Sequence, residues 1–419
     1  MTNRVVVLGG GTGGTLVANR LRRRLRREDA EIVVVDADDR HLYQPGLLFV
    51  PFGLARTEDL VRSRRAQLHA GVDFVEGAIE SVDLGEREVR IARSEPIRYD
   101  VLVVASGAVL QPEETDGLTG PGWGEHVLTF YEPRGAAALA AALDRFAGGR
   151  VVVDVVDMPI KCPVAPLEFA FLADWYFRRR AMRDAVELVL VTPLDGAFTK
   201  PVCDRELSGL LRAKGVEVVS EFSTGAVDGR GRRIVSYDGR EVPFDLAVVV
   251  PLHGGAPYVA RSPGLGDELG FVDVDEHTLQ SPRYPEVFAI GDAAGIPTSK
   301  AGSVAHFAGE VLVENVLAVL RGNAPIARFD GHTNCFIESG FKKALLIDFN
   351  YETEPLPGHF PGPVGLPLLH ESRLNHLGKR AFEWVYWNAL LPGRDLPGVG
   401  SRMPVRGKAR VPAGSRVGV

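Results

Sequence analysis

The sequence predicts an α/β fold of two parallel-sheet, Rossmann-like domains, with a smaller α+β segment at the C-terminus. Three observations predict it. Apolar runs such as VVVL at 5–8, IVVV at 32–35, VLVVA at 101–105 and VELVLV at 186–191 lack a polar alternation and read as strands buried on both faces. Segments of helical spacing separate them, and a glycine-rich turn joins the first strand to the first helix. The 419 residues exceed one ordinary domain. Hydrophobic residues at 45% and charged residues at 24% exclude a disordered or collagen-like chain. A net charge of −6 gives no reason to expect nucleic acid as a partner. Three cysteines are too few for a secreted disulfide scaffold.

The first strand runs directly into GGGTGG (Gly9, Gly10, Gly11, Thr12, Gly13, Gly14), which fits G-x-G-x-x-G through Gly9, Gly11 and Gly14. A helix follows over 15–27, then the second strand, which ends in Asp36. Strand, glycine turn, helix, strand and acidic end together make the dinucleotide-binding pattern. The glycines bring backbone N–H groups to a pyrophosphate at the helix N-terminus, and Asp36 can accept from a ribose. Arg22, Arg23, Arg24, Arg26 and Arg27 read as a solvated outer face of this helix rather than a nucleic-acid patch.

Two distant strand ends indicate which dinucleotide is held. The strand at 101–105 ends in Ala105-Ser106-Gly107, and VFAIGD at 287–292 ends in Gly291-Asp292. The pair resembles the A-T-G-like and G-D motifs of two-dinucleotide-binding-domain flavoproteins. In that family the aspartate hydrogen-bonds the ribityl chain of FAD, a role that falls on Asp292 here. The mid-chain strand over 150–156 leads instead into DMPIKCP, with Pro159 and Pro163 and no glycine cradle. The strand after it ends in Thr192-Pro193, with no acid for a ribose. This second domain is therefore expected not to bind a nicotinamide nucleotide, and electrons must reach the flavin another way.

Cysteine stands where the second cradle would be. GGGTGG, the YQPG stretch containing Pro45, IKCPVAPLEFAF, the AIGD strand with the following Lys300, and NCFIESGFKKALLIDFNY resemble the sulfide:quinone oxidoreductases and flavocytochrome c sulfide dehydrogenase flavoproteins over nearly the whole chain. The resemblance implies a glutathione-reductase-like architecture with FAD as cofactor and a redox disulfide between Cys162 and Cys335, with Cys335 nearer the flavin. It also implies sulfide or a small thiol as substrate and quinone as acceptor. Glu168 either takes protons from the thiols or stabilises a helix N-terminus; Lys300 either approaches the flavin or lies at the surface. Cys203 reads as structural, and the ten histidines show no metal spacing. Two rival readings are a type II NADH:quinone reductase-like enzyme and a flavin-binding redox sensor without turnover.

The expected division is 1–112 with 270–328 for the flavin domain, 113–269 for the second Rossmann-like domain, 329–392 for a C-terminal quinone and membrane-interface segment, and 393–419 for a basic disordered tail. No apolar run reaches membrane-spanning length. A helix over 371–391 carries Leu374, Leu377, Trp384, Tyr386 and Trp387 beside Arg373, Lys379 and Arg380, and the tail adds Arg394, Arg402, Arg406, Lys408, Arg410 and Arg416 against the one acid Asp395. Aromatic and basic residues together suggest peripheral docking on an anionic membrane, on the cytoplasmic face; burial of this helix in a homodimer is the alternative.

Overall fold

The structure is a computed structural model that describes residues 2–395 and 399–409. In chain order, the elements that build the site are β1 (Asn3–Leu8), α1 (Thr12–Arg24), β2 (Ala30–Asp36), β3 (Asp73–Glu76), β4 (Val101–Val104), β5 (Val127–Leu128), α2 (Pro133–Arg145), β6 (Gly149–Val155), α3 (Ala165–Arg179), β7 (Val186–Val191), α4 (Pro201–Ala213), β8 (Val216–Val219), β9 (Leu246–Val250), β10 (Val287–Ala289), α5 (Gly302–Leu320), β11 (Thr333–Gly340), β12 (Lys343–Phe349) and α6 (Arg373–Val385). Two five-stranded parallel sheets result, in the orders β10-β4-β1-β2-β3 and β5-β9-β6-β7-β8. The α/β class is as the sequence predicts.

In the first sheet Val5 pairs with Ile32 on one side and Val101 on the other. Residues Val5 to Leu8 are wholly buried because each face has a cover. Helices α1 and α5 lie on one face, and an antiparallel sheet from residues 79–98 lies on the other. That double cover is the reason the strand sequence shows no alternation. The last strand, β10, arrives from residues 287–289, after the second sheet is complete, so the flavin-type sheet is closed by a late return of the chain.

Helix α5 is long and apolar enough to cross a membrane by length and composition, yet it is a core helix. Its Glu310 and Glu314 pair with Arg20 at 3.4 Å and Arg24 at 2.8 Å on α1. The arginine run of α1 is accordingly less solvated than the sequence suggests. Arg22 is buried, and its guanidinium donates to the carbonyls of Leu25 at 2.6 Å and Ala30 at 2.9 Å, closing the turn into β2.

The C-terminal segment is a hairpin of β11 and β12, in which Cys335 lies opposite Ile347, with α6 across it. The chain then returns: residues 399–409, expected as part of a disordered tail, run beside residues 357–359 next to this hairpin. His359 N–H donates to Gly407 O at 3.0 Å, and Ala409 N–H to Pro357 O at 2.9 Å. Lys408, counted with the lipid-facing charge in the sequence, is buried and pairs with the buried Asp348, whose other oxygen lies 2.8 Å from His332 Nε2. A carboxylate so deep requires a partner, and the tail supplies one. Arg410 and Arg416 lie outside the described residues. Lys408→Met should cost about 3 kcal/mol by leaving Asp348 without its cation, measured by denaturant unfolding; an unchanged midpoint would show that the pair does not hold the strap.

Candidate active site

The glycine turn is shaped by two close approaches. Gly9 has φ +98°, a left-handed conformation, and a Cβ there would lie 2.6 Å from the carbonyl oxygen of Ala105. A Cβ on Gly14 would collide with the carbonyl oxygen of Gly9, so only glycine lets α1 start this close to β1. Beside Gly11 the space is open. The N-terminus of α1 has no side-chain cap, and its first-turn N–H groups face a cavity of about 580 Å³. These features fit a pyrophosphate: an uncapped helix end, room at Gly11 and no side chain in the way.

That cavity brings together residues scattered over most of the sequence. Every predicted site residue faces it except Gly10 and Gly14, which lie behind it in the turn. Gly10 N–H donates to Asp36 at 2.7 Å. Asp36 is not free for a ribose alone, however. Its carboxylate also pairs with Arg64, a buried residue the sequence reading missed because nothing in its exposed-looking context, RSRRAQ, marks it as different from its neighbours. Burial brings the Arg64 guanidinium down to about 10. At the next stretch, Ala105, Ser106, Gly107 and Pro45 form the walls, and Tyr258 O–H donates to Ser106 at 3.0 Å.

At the far end of β10, Gly291 turns with φ +68° and presents Asp292. Burial raises the Asp292 carboxyl, while Lys300 and Lys161 oppose the rise. Lys300 is a buried lysine rather than a surface one. Its ammonium donates to Asp292 O at 2.7 Å and lies 3.6 Å from the Phe271 ring centroid, and burial lowers it to about 8.

The loop after β6, where a second cradle would stand, is tied down onto the first domain. Cys162 N–H donates to Lys300 O at 2.7 Å, and Ala165 N–H to Cys162 O at 2.8 Å. Cys162 itself has φ +49°, unfavourable for a side-chain residue, and so is held in place by these contacts just before α3. Cys335 reaches the same cavity from β11. Both are free thiols in this structure. Burial pushes the Cys162 thiol well up, with Cys335 and Glu168 adding to the rise; burial likewise pushes Cys335 up to about 12, with Glu168 adding and Lys379 opposing. Cys203, fully buried in α4, does not line the cavity.

Glu168 stands in the first turn of α3, buried, with its carboxyl raised by desolvation. It accepts from Glu338 N–H at 2.6 Å and pairs with Lys379. The sequence placed Lys379 among the charges flanking a membrane helix. It points inward instead, because α6 lies across the hairpin and position 379 falls on its inner face. Its ammonium also donates to Phe336 O at 3.2 Å and lies 5.5 Å from the Phe49 ring centroid. Phe49, Phe336, Phe382 and Val385 make this end of the cavity apolar. Tyr386 and Trp387, expected at an interface, are also buried.

Gly14→Ala should yield protein that folds, by circular dichroism, but is colourless, since the new methyl displaces the turn from the helix end. A normal flavin-to-protein ratio would refute the assignment of the cradle.

Comparison with known proteins agrees with this geometry. Residues 3–153 match the pyridine nucleotide-disulphide oxidoreductase family. The mitochondrial sulfide:quinone oxidoreductase of Mus musculus is 28% identical, over 93% of this chain and 86% of that protein. The type II NADH:quinone oxidoreductase NdhA of Mycobacterium tuberculosis is 31% identical, over 70% of this chain and 67% of that protein. The crystal structure of the sulfide:quinone oxidoreductase from Aquifex aeolicus superposes with a TM-score of 0.78 at 20% identity, covering 94% of this chain and 92% of that one. With the glycine cradle, the late Gly-Asp strand and similarity along almost the full length, the chain is an FAD-dependent oxidoreductase homologous to the sulfide:quinone oxidoreductases.

Proposed function

We propose that this enzyme oxidises sulfide, or a related small thiol, through a Cys162–Cys335 disulfide and passes the electrons through FAD to a membrane quinone. The observation that carries the reading is that two cysteines from distant segments face one cavity with the glycine cradle, Asp292 and an apolar mouth. Both thiols are held neutral by burial, so they are poor nucleophiles at rest. The reactive resting form is therefore the disulfide, an electrophile.

HS⁻ attacks that bond; a new S–S bond forms at Cys162, the old one breaks, and Cys335 leaves as thiolate. FAD, which the glycine turn, Ser106 and Asp292 would hold, would supply the two-electron acceptor between this sulfur pair and quinone. With two electrons gone, the Cys162 persulfide and the Cys335 thiolate close into a trisulfide and release one proton. Glu168, whose raised pKa suits it to hold that proton, is the acceptor. Lys379, on the other side of Glu168, can donate to a quinone carbonyl seated among Phe49, Phe336 and Phe382. Lys300, charged below about pH 8, favours negative charge near Asp292. The loop that would hold a nicotinamide nucleotide is tied to Lys300, which disfavours direct reduction by NADH. The likeness to a type II NADH:quinone oxidoreductase keeps that reading as the alternative.

Anaerobic mixing with sulfide should bleach the flavin, and NADH should not. Cys162→Ser and Cys335→Ser should each lower the sulfide-driven rate at least 100-fold, whereas Cys203→Ser should stay within about twofold. Bleaching by NADH alone favours the rival enzyme; wild-type rates in either of the first two variants remove the disulfide mechanism.

Access to quinone calls for a lipid surface. Leu374, Leu377, Ala381 and Trp384 recur at helical spacing along the outer face of α6 and are exposed, Trp384 by 68%, with the exposed Arg373 and Arg380 on the same helix. This face is proposed to dock on anionic lipid. In flotation with anionic vesicles at low salt the protein should rise with the lipid, and Leu377→Glu/Trp384→Glu should stay below. Wild-type protein that stays in solution would point to a soluble acceptor.

A further inference from the structure

The inner side of the C-terminal helix makes a contact that none of the chemistry above uses. After Val385 the helix widens into a π-turn over Tyr386–Leu390, a distortion common at functional sites. Tyr386, fully inside the protein, reaches the glycine turn 374 positions away in sequence: its hydroxyl lies 2.8 Å from Thr12 Oγ1 and 2.7 Å from His41 Nε2. His41 Nδ1 in turn lies 3.1 Å from Gly10 O.

The hydrogens in this chain are fixed by chemistry. A carbonyl can only accept, so His41 Nδ1 carries the proton shared with Gly10. Burial lowers His41 to about 4, so the ring is neutral and Nε2 is an acceptor. Tyr386 O–H therefore donates to His41, and its oxygen is left to accept from Thr12. Each group has one role, and the chain runs from the carbonyl at one end of the glycine turn to the hydroxyl at the start of α1.

Other contacts hold the same stretch over the same domain. Asn19 Nδ2 donates to Leu391 O at 2.6 Å, Arg23 Nε donates to Pro392 O at 2.9 Å, and the Arg62 guanidinium lies 4.2 Å from the Trp387 ring centroid.

We infer that the end of the C-terminal helix is a latch on the FAD site, with Tyr386 as a positioning residue that, through His41 and Thr12, holds the glycine turn in its pyrophosphate-binding shape. This rests on the assignment of that turn as the pyrophosphate cradle. FAD retention then depends on a segment outside both Rossmann-like sheets, and by reciprocity bound FAD holds that segment down.

The test is the rate at which FAD leaves the holoenzyme, followed by the recovery of free-flavin fluorescence on dilution. Tyr386→Phe keeps the ring and removes only the hydroxyl; it should release FAD about tenfold faster, as expected for one lost buried hydrogen bond. His41→Leu should do the same, and His41→Gln, which can both donate and accept, should recover most of the loss. The double variant Tyr386→Phe/His41→Leu should be no more than about twofold faster than either single one, because both break the same chain. Tyr237→Phe, which removes an exposed hydroxyl elsewhere, should leave the rate unchanged. Amide exchange over residues 373–391 should slow when FAD is added to the apoprotein. Release from Tyr386→Phe at the wild-type rate, or strictly multiplicative effects in the double variant, overturns the latch. If Tyr386→Phe purifies without flavin, titration of its apoprotein decides, and an FAD Kd equal to that of wild-type apoprotein overturns it too. Wild-type protein that binds no FAD would instead overturn the assignment of the cradle, a separate result.

Discussion

Everything at this site depends on how closely α1 can start to β1. The turn between them leaves no room for a Cβ at Gly14, whose neighbour is the Gly9 carbonyl, or at Gly9, whose neighbour is the Ala105 carbonyl. Those approaches bring β1, β4 and α1 to a common point and aim the helix's free N–H groups into one cavity. The remaining walls are added by segments that arrive later in the chain: β10 with Asp292, the loop before α3 with Cys162, and the hairpin with Cys335. Helix α5 fixes the late arrivals by clamping onto α1 through two ion pairs and a buried apolar face.

Burial is the second organising force, and it acts in one direction. Desolvation disfavours the charged forms of the groups at the heart of the cavity: it raises Glu168, Asp292 and both thiols, and it lowers Lys300. The counter-charges are placed beside the groups that most need them, Lys379 at Glu168 and Lys300 at Asp292. A site in which thiols are kept neutral and a carboxyl can hold a proton suits chemistry that begins at a disulfide and ends by releasing protons. It suits poorly an enzyme that relies on a resting thiolate.

The C-terminal segment serves two surfaces. The inner side of α6 closes the apolar end of the cavity with Lys379 and Phe382, and the turn that follows rests on the glycine cradle through Tyr386. The outer side leaves Leu374, Leu377 and Trp384 in solvent. In the proposed reaction, a helix so placed would lie between a lipid-soluble acceptor and the cofactor that reduces it. The strap over 399–409 then anchors this segment from behind through the Lys408–Asp348 pair.

The sequence by itself determined the strands, the glycine turn and the Gly-Asp strand end, because each is a local pattern. A short apolar run without alternation, bounded by turn residues, reads as a doubly buried strand, and a turn with no room for side chains must be glycine. It also marked Cys162 and Cys335, through the segments in which they stand. What it could not decide is which face of a helix meets which partner. Lys379, Arg380 and Arg373 look alike in sequence, yet only Lys379 turns inward, since the angle at which α6 crosses the hairpin sets the buried face. Arg64 is indistinguishable from Arg62 and Arg65 until β2 brings Asp36 beside it. Lys408 reads as one more charge in a glycine- and proline-rich tail, and its side chain becomes part of the core because it meets Asp348, buried in a strand 60 positions earlier. Local chemistry fixes what a residue can do; the tertiary structure decides what it meets, because pairing energies depend on burial and distance, and neither is a property of the neighbouring sequence.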